Sequence, residues 1–174
     1  MRALADASRI EAFLDALGDR ASEDARVYLT GGATAVLYGW RASTVDVDLK
    51  IVPDSGSVLR AIPELKESLG INVELASPDD FIPALPGWEG RSPFIARKGR
   101  LSFHHYDLAA QALAKIERGH AQDLQDAEEM VRRGLVPRGD LLGFYAKIEP
   151  ALYRYPAIDP ASFRRAVEEF VRRG

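Results

Sequence analysis

Two aspartates, Asp46 and Asp48, stand two residues apart in Val45-Asp46-Val47-Asp48-Leu49-Lys50-Ile51. Apolar and charged residues alternate there, which is the pattern of a strand with one buried face. Positions i and i+2 of a strand point the same way, so both carboxylates project from one face, within reach of a shared cation. Carboxylate oxygens suit a hard divalent ion such as Mg²⁺. Just upstream, Val27 to Thr30 reads as a short strand, Gly31-Gly32 as a tight turn, and Ala33 to Tyr38 as a short helix stopped by Gly39. A glycine pair between a strand and a helix lets the backbone approach a ligand closely, and the amides at a helix start favour an anion. Phosphate on one side and a metal-holding acid pair on the other make a site for a nucleoside triphosphate with Mg²⁺.

Other elements must position these residues. Ile10, Phe13, Leu14 and Leu17 recur at i, i+3, i+4 and i+7, which predicts a packing helix near residues 6–17, with Ser8 or Asp6 as cap and Gly18 at its end. The strand Val45 to Val52 puts Val45, Val47, Leu49 and Ile51 inward and Asp46, Asp48 and Lys50 outward. A helix follows over Ser57 to Leu69, with Pro63 kinking it or starting a second helix. Ile71 to Ala76 alternates again, with Ile71, Val73 and Leu75 on one face and Asn72 and Glu74 on the other. Strand, helix, strand in this order suggests a crossover unit. Ser77 to Arg91, rich in proline and glycine, reads as a loop over the sheet, and residues 93–106 as a hairpin with the basic tip Arg97-Lys98-Gly99-Arg100. From Asp107 the chain reads as helical, over residues 108–116, 121–133 and 141–153 and from Asp159-Pro160 onward. The expected fold is α+β. A mixed sheet with packed helices over residues 1–106 is followed by a helical region, 107–174, packed on that core.

Composition narrows the function. The 174 residues are 47% hydrophobic and 28% charged, with a formal net charge of -3, so no global basic bias marks a nucleic-acid binder. There are no cysteines, which excludes disulfides and thiolate chemistry, and three histidines leave little scope for a zinc site. No apolar run approaches the roughly 20 residues of a membrane span. The first residues lack the long apolar core of a signal peptide, so the expected location is cytoplasmic.

The residues Gly31-Gly32, Gly39, Arg41, Thr44 and Asp46-Val47-Asp48 resemble the opening motif of the DNA polymerase β-type nucleotidyltransferase superfamily. The form Gly-Gly-x-x-Ala, then Arg41, a Ser/Thr position filled by Ser43-Thr44, and Asp46-Val47-Asp48, is similar to the subgroup of AbiEii-type toxins and related uncharacterised bacterial nucleotidyltransferases. A looser similarity covers Lys115, Arg118, Asp123 and Asp126, where Gln122 replaces the arginine common in the toxin-like relatives. The resemblance implies Asp46 and Asp48 as metal ligands for Mg²⁺ or Mn²⁺. It implies Gly31 and Gly32 as phosphate-binding backbone, and Thr30 or Thr34, with Thr44, as hydroxyls near it. Glu74 is the best candidate for the third carboxylate that activates an acceptor hydroxyl. Arg41 and Lys115 carry charges suited to phosphate, and equally suited to ordinary ion pairs. Asp123 and Asp126, at i and i+3 of a helix, read as structural or orienting groups.

His104 and His105 adjoin each other on a strand, so they face opposite ways and do not readily share one metal. Tyr38, Trp40 and Trp88 are candidates for stacking on a base or for the core. The basic tip and Arg132-Arg133 are candidates for an RNA backbone or for plain solvation. The expected activity is transfer of a nucleoside monophosphate, from ATP or another NTP, to a hydroxyl of RNA or tRNA, a protein or a small molecule. The toxin-like resemblance implies one half of a toxin–antitoxin or defence pair, with an antitoxin-like partner. The alternative is a non-catalytic domain of the same fold that binds a nucleotide or a partner. No membrane partner is expected.

Overall fold

The strand that carries the two aspartates lies within a five-stranded sheet. The computed structural model describes residues 2–174 and resolves into two units. One holds the chain up to Ser77 together with Ser92–Tyr106, and the other holds Pro78–Arg91 and Asp107–Gly174. The class is mixed α+β, with seven α-helices among the described residues.

In the first unit the order is β1 (Ala5–Asp6), α1 (Ala7–Arg20), β2 (Ala25–Thr30), α2 (Gly32–Tyr38), β3 (Ser43–Thr44), β4 (Asp46–Val52), α3 (Gly56–Leu69), β5 (Asn72–Leu75), β6 (Phe94–Lys98) and β7 (Leu101–His105). The main sheet runs β5-β4-β2-β7-β6. β2 is antiparallel to β4, β4 is parallel to β5 through the crossover helix α3, β2 is parallel to β7, and β6 and β7 form an antiparallel hairpin. Alternation on β4 buries Val47, Leu49 and Ile51, while Asp46, Asp48 and Lys50 stay partly exposed on the other face. The buried row belongs to one core with Val27, Leu29, Val73, Leu101 and Phe103, Ile10, Phe13, Leu14 and Leu17 of α1, and Val58, Ala61, Ile62 and Leu65 of α3. Burying each large side chain contributes at most about 1.5–3 kcal/mol.

Caps set the helix ends. Asp6 accepts the Arg9 amide at 2.9 Å to start α1. Ser55 caps α3, and Gly39 and Gly70 close α2 and α3 in the left-handed region. Several expectations need correction. α1 does not end at Gly18 but runs on to Arg20, with Gly18 against the hairpin. A Cβ there would meet the Lys98 carbonyl oxygen at 2.6 Å, so glycine serves close packing and not termination. α3 passes through Pro63 without restarting, because its buried stripe continues on both sides of the missing N–H. Val45 is not inward. β3 pairs with β1 while β4 pairs with β2, so the chain changes partner at Val45 and leaves it 66% exposed. Leu75, at the end of an edge strand, is exposed as well.

The second unit contains α4 (Leu108–Arg118), α5 (Ala121–Arg132), α6 (Leu141–Ile148) and α7 (Pro160–Arg172). α4 packs against α5, α6 and α7. The helix expected over 141–153 is α-helical only to Ile148 and continues as a 3₁₀ segment over Glu149–Arg154, where Pro150 cannot supply an amide. Residues 78–91 belong to this helical unit. Arg91 donates to the Asp107 carboxylate through Nε at 3.1 Å and Nη2 at 2.8 Å, and the Tyr155 hydroxyl donates to the Asp79 carbonyl at 2.8 Å. Asp107 also caps α4, accepting from Ala109.

Candidate functional site

The registers of β2, β4 and β5 draw one row across three strands. Asp48 pairs with Thr30 on one side and with Glu74 on the other, and Asp46 pairs with Asn72. Register partners on neighbouring strands share a face and lie about 4.7–4.9 Å apart in the pairing direction. Thr30, Asp48 and Glu74 therefore stand side by side on the polar face, with Asp46 and Asn72 in the adjacent row. Asn72 Nδ2 donates to Asp46 Oδ1 at 2.5 Å and to Glu74 Oε1 at 2.9 Å, so one amide bridges two carboxylates. Among the described residues no group of three or more histidine, aspartate or glutamate side chains is gathered tightly enough to hold a metal ion. The acids share a face, but the three do not close around one point.

The glycine turn reaches this row directly. Gly31 has φ +65°, in the left-handed region, and a Cβ on it would lie 3.2 Å from Asp48 Oδ2. Only glycine meets both conditions without strain. Gly32 is packed against Thr44, where an added Cβ would lie 2.0 Å from Thr44 Oγ1 and 3.1 Å from Arg41 Nη1. Thr44 is buried and its hydroxyl donates to the Asp46 carbonyl at 3.0 Å. Its side chain thus ties the turn to the start of the aspartate strand.

His105 anchors the helix that follows the turn. Its Nδ1 lies 3.0 Å from Thr34 Oγ1, and its ring stacks on Tyr38 at 4.5 Å, which stacks in turn on Trp40 at 5.9 Å. Burial pushes the imidazole down to about 4, so it is neutral at pH 7. His104 faces the other way, stacked on Tyr28 at 5.3 Å, and burial lowers it too. The two histidines share no ligand position.

Lys115 belongs to the helical unit. Its ammonium is buried, donates to Asp126 Oδ2 at 2.9 Å and lies 3.8 Å from Asp123 Oδ1. Arg118 pairs with Asp123 at 2.6 Å, and Gln122 Nε2 donates to Asp126 Oδ1 at 3.3 Å. The Lys115 charge is balanced by these aspartates within its own unit. The basic tip is paired as well: Lys98 meets Asp15 at 2.8 Å and Arg100 meets Asp24 at 3.0 Å. Arg132 and Arg133 both pair with Glu129.

Two contributors escaped the sequence reading. Asn72 was placed on the Glu74 face by alternation, but its amide bridge depends on the β4–β5 register. Arg2, whose Nη1 donates to Asn72 Oδ1 at 3.2 Å, carried no local signal at all. No family model, curated protein or solved structure matches this chain.

Proposed function

We propose that the chain is a Mg²⁺-dependent nucleotidyltransferase, resembling the DNA polymerase β-type superfamily, that moves a nucleoside monophosphate from an NTP to a hydroxyl. One observation carries this reading: Asp48 lies between Thr30 and Glu74 in one row, with the Gly31 turn against its carboxylate. The donors near that turn are carboxylate oxygens, which fit Mg²⁺ or Mn²⁺, and Mg²⁺ sites commonly use one or two carboxylates plus substrate phosphates. Asp46 and Asp48 would hold the ion. Bound there, it supplies neutralisation of the charge that develops on the phosphates. The Gly31–Gly32 turn would lie along the triphosphate, where the missing side chains keep the backbone close to Asp48. Arg41, whose guanidinium lies beside Gly32, would face the same phosphates. Glu74 holds its Oε1 toward Asn72, and its Oε2 would take the proton of the acceptor hydroxyl. RNA, a protein side chain and a small molecule all offer such a hydroxyl. The toxin-like resemblance adds a cognate antitoxin-like partner to this proposal.

The absence of a closed three-acid group among the described residues favours a second reading, a domain of this kind that binds nucleotide or a partner without turnover. Incubation with each α-³²P-labelled NTP, Mg²⁺ and total RNA or cell lysate separates the two. A labelled acceptor with released pyrophosphate supports transfer. No labelled species with any of the NTPs refutes it.

A further inference from the structure

Tyr38 and Trp40, at the end of α2 and just beyond it, stand outside the buried core and stay partly exposed. They are nonetheless held in place. Thr34 and Tyr38 lie at i and i+4 of α2 and so share one side of it. The buried His105 ring meets both, with Nδ1 3.0 Å from Thr34 Oγ1 and the ring stacked on Tyr38 at 4.5 Å. Trp40 continues the stack beyond Tyr38, at 5.9 Å and 12° from parallel. Its amide donates to the Ala35 carbonyl at 3.1 Å, a return that the left-handed turn at Gly39 allows.

The outer ring is covered by its neighbour only in part. Parallel rings in contact are separated by about 3.5–4.0 Å, so centroids 5.9 Å apart place Trp40 roughly 4–5 Å sideways from Tyr38. The next residue, Arg41, brings its guanidinium back to the glycine turn, where Nη1 would lie 3.1 Å from a Cβ on Gly32. Two adjacent positions of the chain thus offer a cation at the turn and a ring at the end of a stack. An NTP presents the matching pair of features, anionic phosphates joined through a sugar to a flat base.

We propose that Trp40 is the nucleobase subsite of the NTP site, the base extending the His105–Tyr38–Trp40 stack while Arg41 and the glycine turn face its phosphates. Every base has a π-face, so stacking on an indole takes any of the four NTPs. The rings are already ordered by one another and by Thr34, which lowers the cost of binding. His105 acts through Tyr38 as a positioning residue. The inference rests on the nucleotidyltransferase reading and concerns where that site takes the base.

The test is binding to the purified full chain with Mg²⁺, using ATP, GTP, CTP and UTP and, as a ligand without a base, inorganic tripolyphosphate. The chain has two tryptophans, so Trp88→Phe leaves Trp40 as its one indole. The NTPs are expected to quench the fluorescence of that indole, and tripolyphosphate to leave it unchanged. In calorimetric titrations Trp40→Ala is expected to weaken NTP binding about 5- to 150-fold, the range for losing one base–aromatic stack, at unchanged affinity for tripolyphosphate. Trp40→Phe keeps a ring and is expected to keep most of the affinity. NTPs that bind without quenching, or that bind Trp40→Ala as tightly as wild type, would overturn the subsite and leave the nucleotidyltransferase reading standing. Equal losses for NTP and tripolyphosphate would do the same, because Trp40 would then only support the turn. No NTP binding to wild type would overturn both.

Discussion

Gly32 and Thr44 occupy one space: a Cβ on Gly32 would sit 2.0 Å from the threonine hydroxyl and 2.7 Å from its Cβ. Thr44 fills that space because its hydroxyl is bound to the Asp46 carbonyl and its backbone pairs with Ala5. The glycine turn and the aspartate strand are thus packed into each other. Gly32→Ala is expected to destabilise the protein by about 1–3 kcal/mol, the usual range for overfilling a packed site. Thr44→Ala in the same chain removes the hydroxyl and recovers part of the loss. Urea unfolding of wild type and the two variants checks both statements. Unchanged stability in Gly32→Ala would show that the two segments are not locked.

The neutral His105 makes stability depend on pH. Its folded value is about 4, below the ordinary 6.5, so the unfolded chain binds more protons between those values. Stability from this group is complete above pH 6.5 and is lost as pH falls toward 4. Linkage gives a loss of about 2 kcal/mol at pH 5 relative to pH 7.5. His105→Gln is expected to flatten that part of the profile, and the difference between the two unfolding curves isolates this residue from His104. Equal pH dependence in both proteins would contradict the burial of a neutral imidazole.

Lys115 is expected to matter first for stability. Lys115→Met leaves Asp126 and Asp123, both buried, without their ammonium partner. Breaking a buried pair from one side costs about 3–5 kcal/mol. Replacing Asp126 with leucine as well removes the stranded charge and is expected to recover much of the loss. A Lys115→Met protein that unfolds like wild type but has lost turnover would instead assign the ammonium to the substrate.

Glu74 is expected to act on the chemical step. Glu74→Gln retains an acceptor oxygen for Asn72 but cannot take a proton from the acceptor hydroxyl. The kcat is expected to fall by about 10²–10⁴-fold, the usual weight of a positioned general base, with little change in KM for the NTP. Steady-state kinetics with the identified acceptor reads this split. A rise in KM at constant kcat would make Glu74 a binding group.

Much of this arrangement was legible in the order of residues, and the exceptions share physical causes. Asp46 and Asp48 could be assigned to one face because strand alternation is local, and the same rule put Asn72 and Glu74 together. Gly39 and Gly70 announced helix ends because a left-handed cap is a property of single residues. What alternation cannot supply is register, so the Asp48–Glu74 pairing and the Asn72 bridge emerged only from the folded sheet. β1 and β3 are two residues each, too short for any periodic signal, and their pairing is what expelled Val45. Residues 78–91 have no period, so nothing in them told which unit would bury Ile82 and Leu85. Arg2 meets Asn72 across 70 positions, a contact no local pattern encodes.

The central claim is that Asp46 and Asp48 hold the catalytic metal. Transfer of label from an α-³²P NTP to its acceptor, compared between wild type and the near-isosteric Asp46→Asn and Asp48→Asn, tests it most directly. Asparagine keeps the shape of the side chain and removes the charge that binds the ion. Loss of several kcal/mol of transition-state stabilisation lowers the rate by about 10³-fold, and each variant is expected to show that loss while unfolding within about 1 kcal/mol of wild type. Transfer at the wild-type rate by both variants would contradict the account.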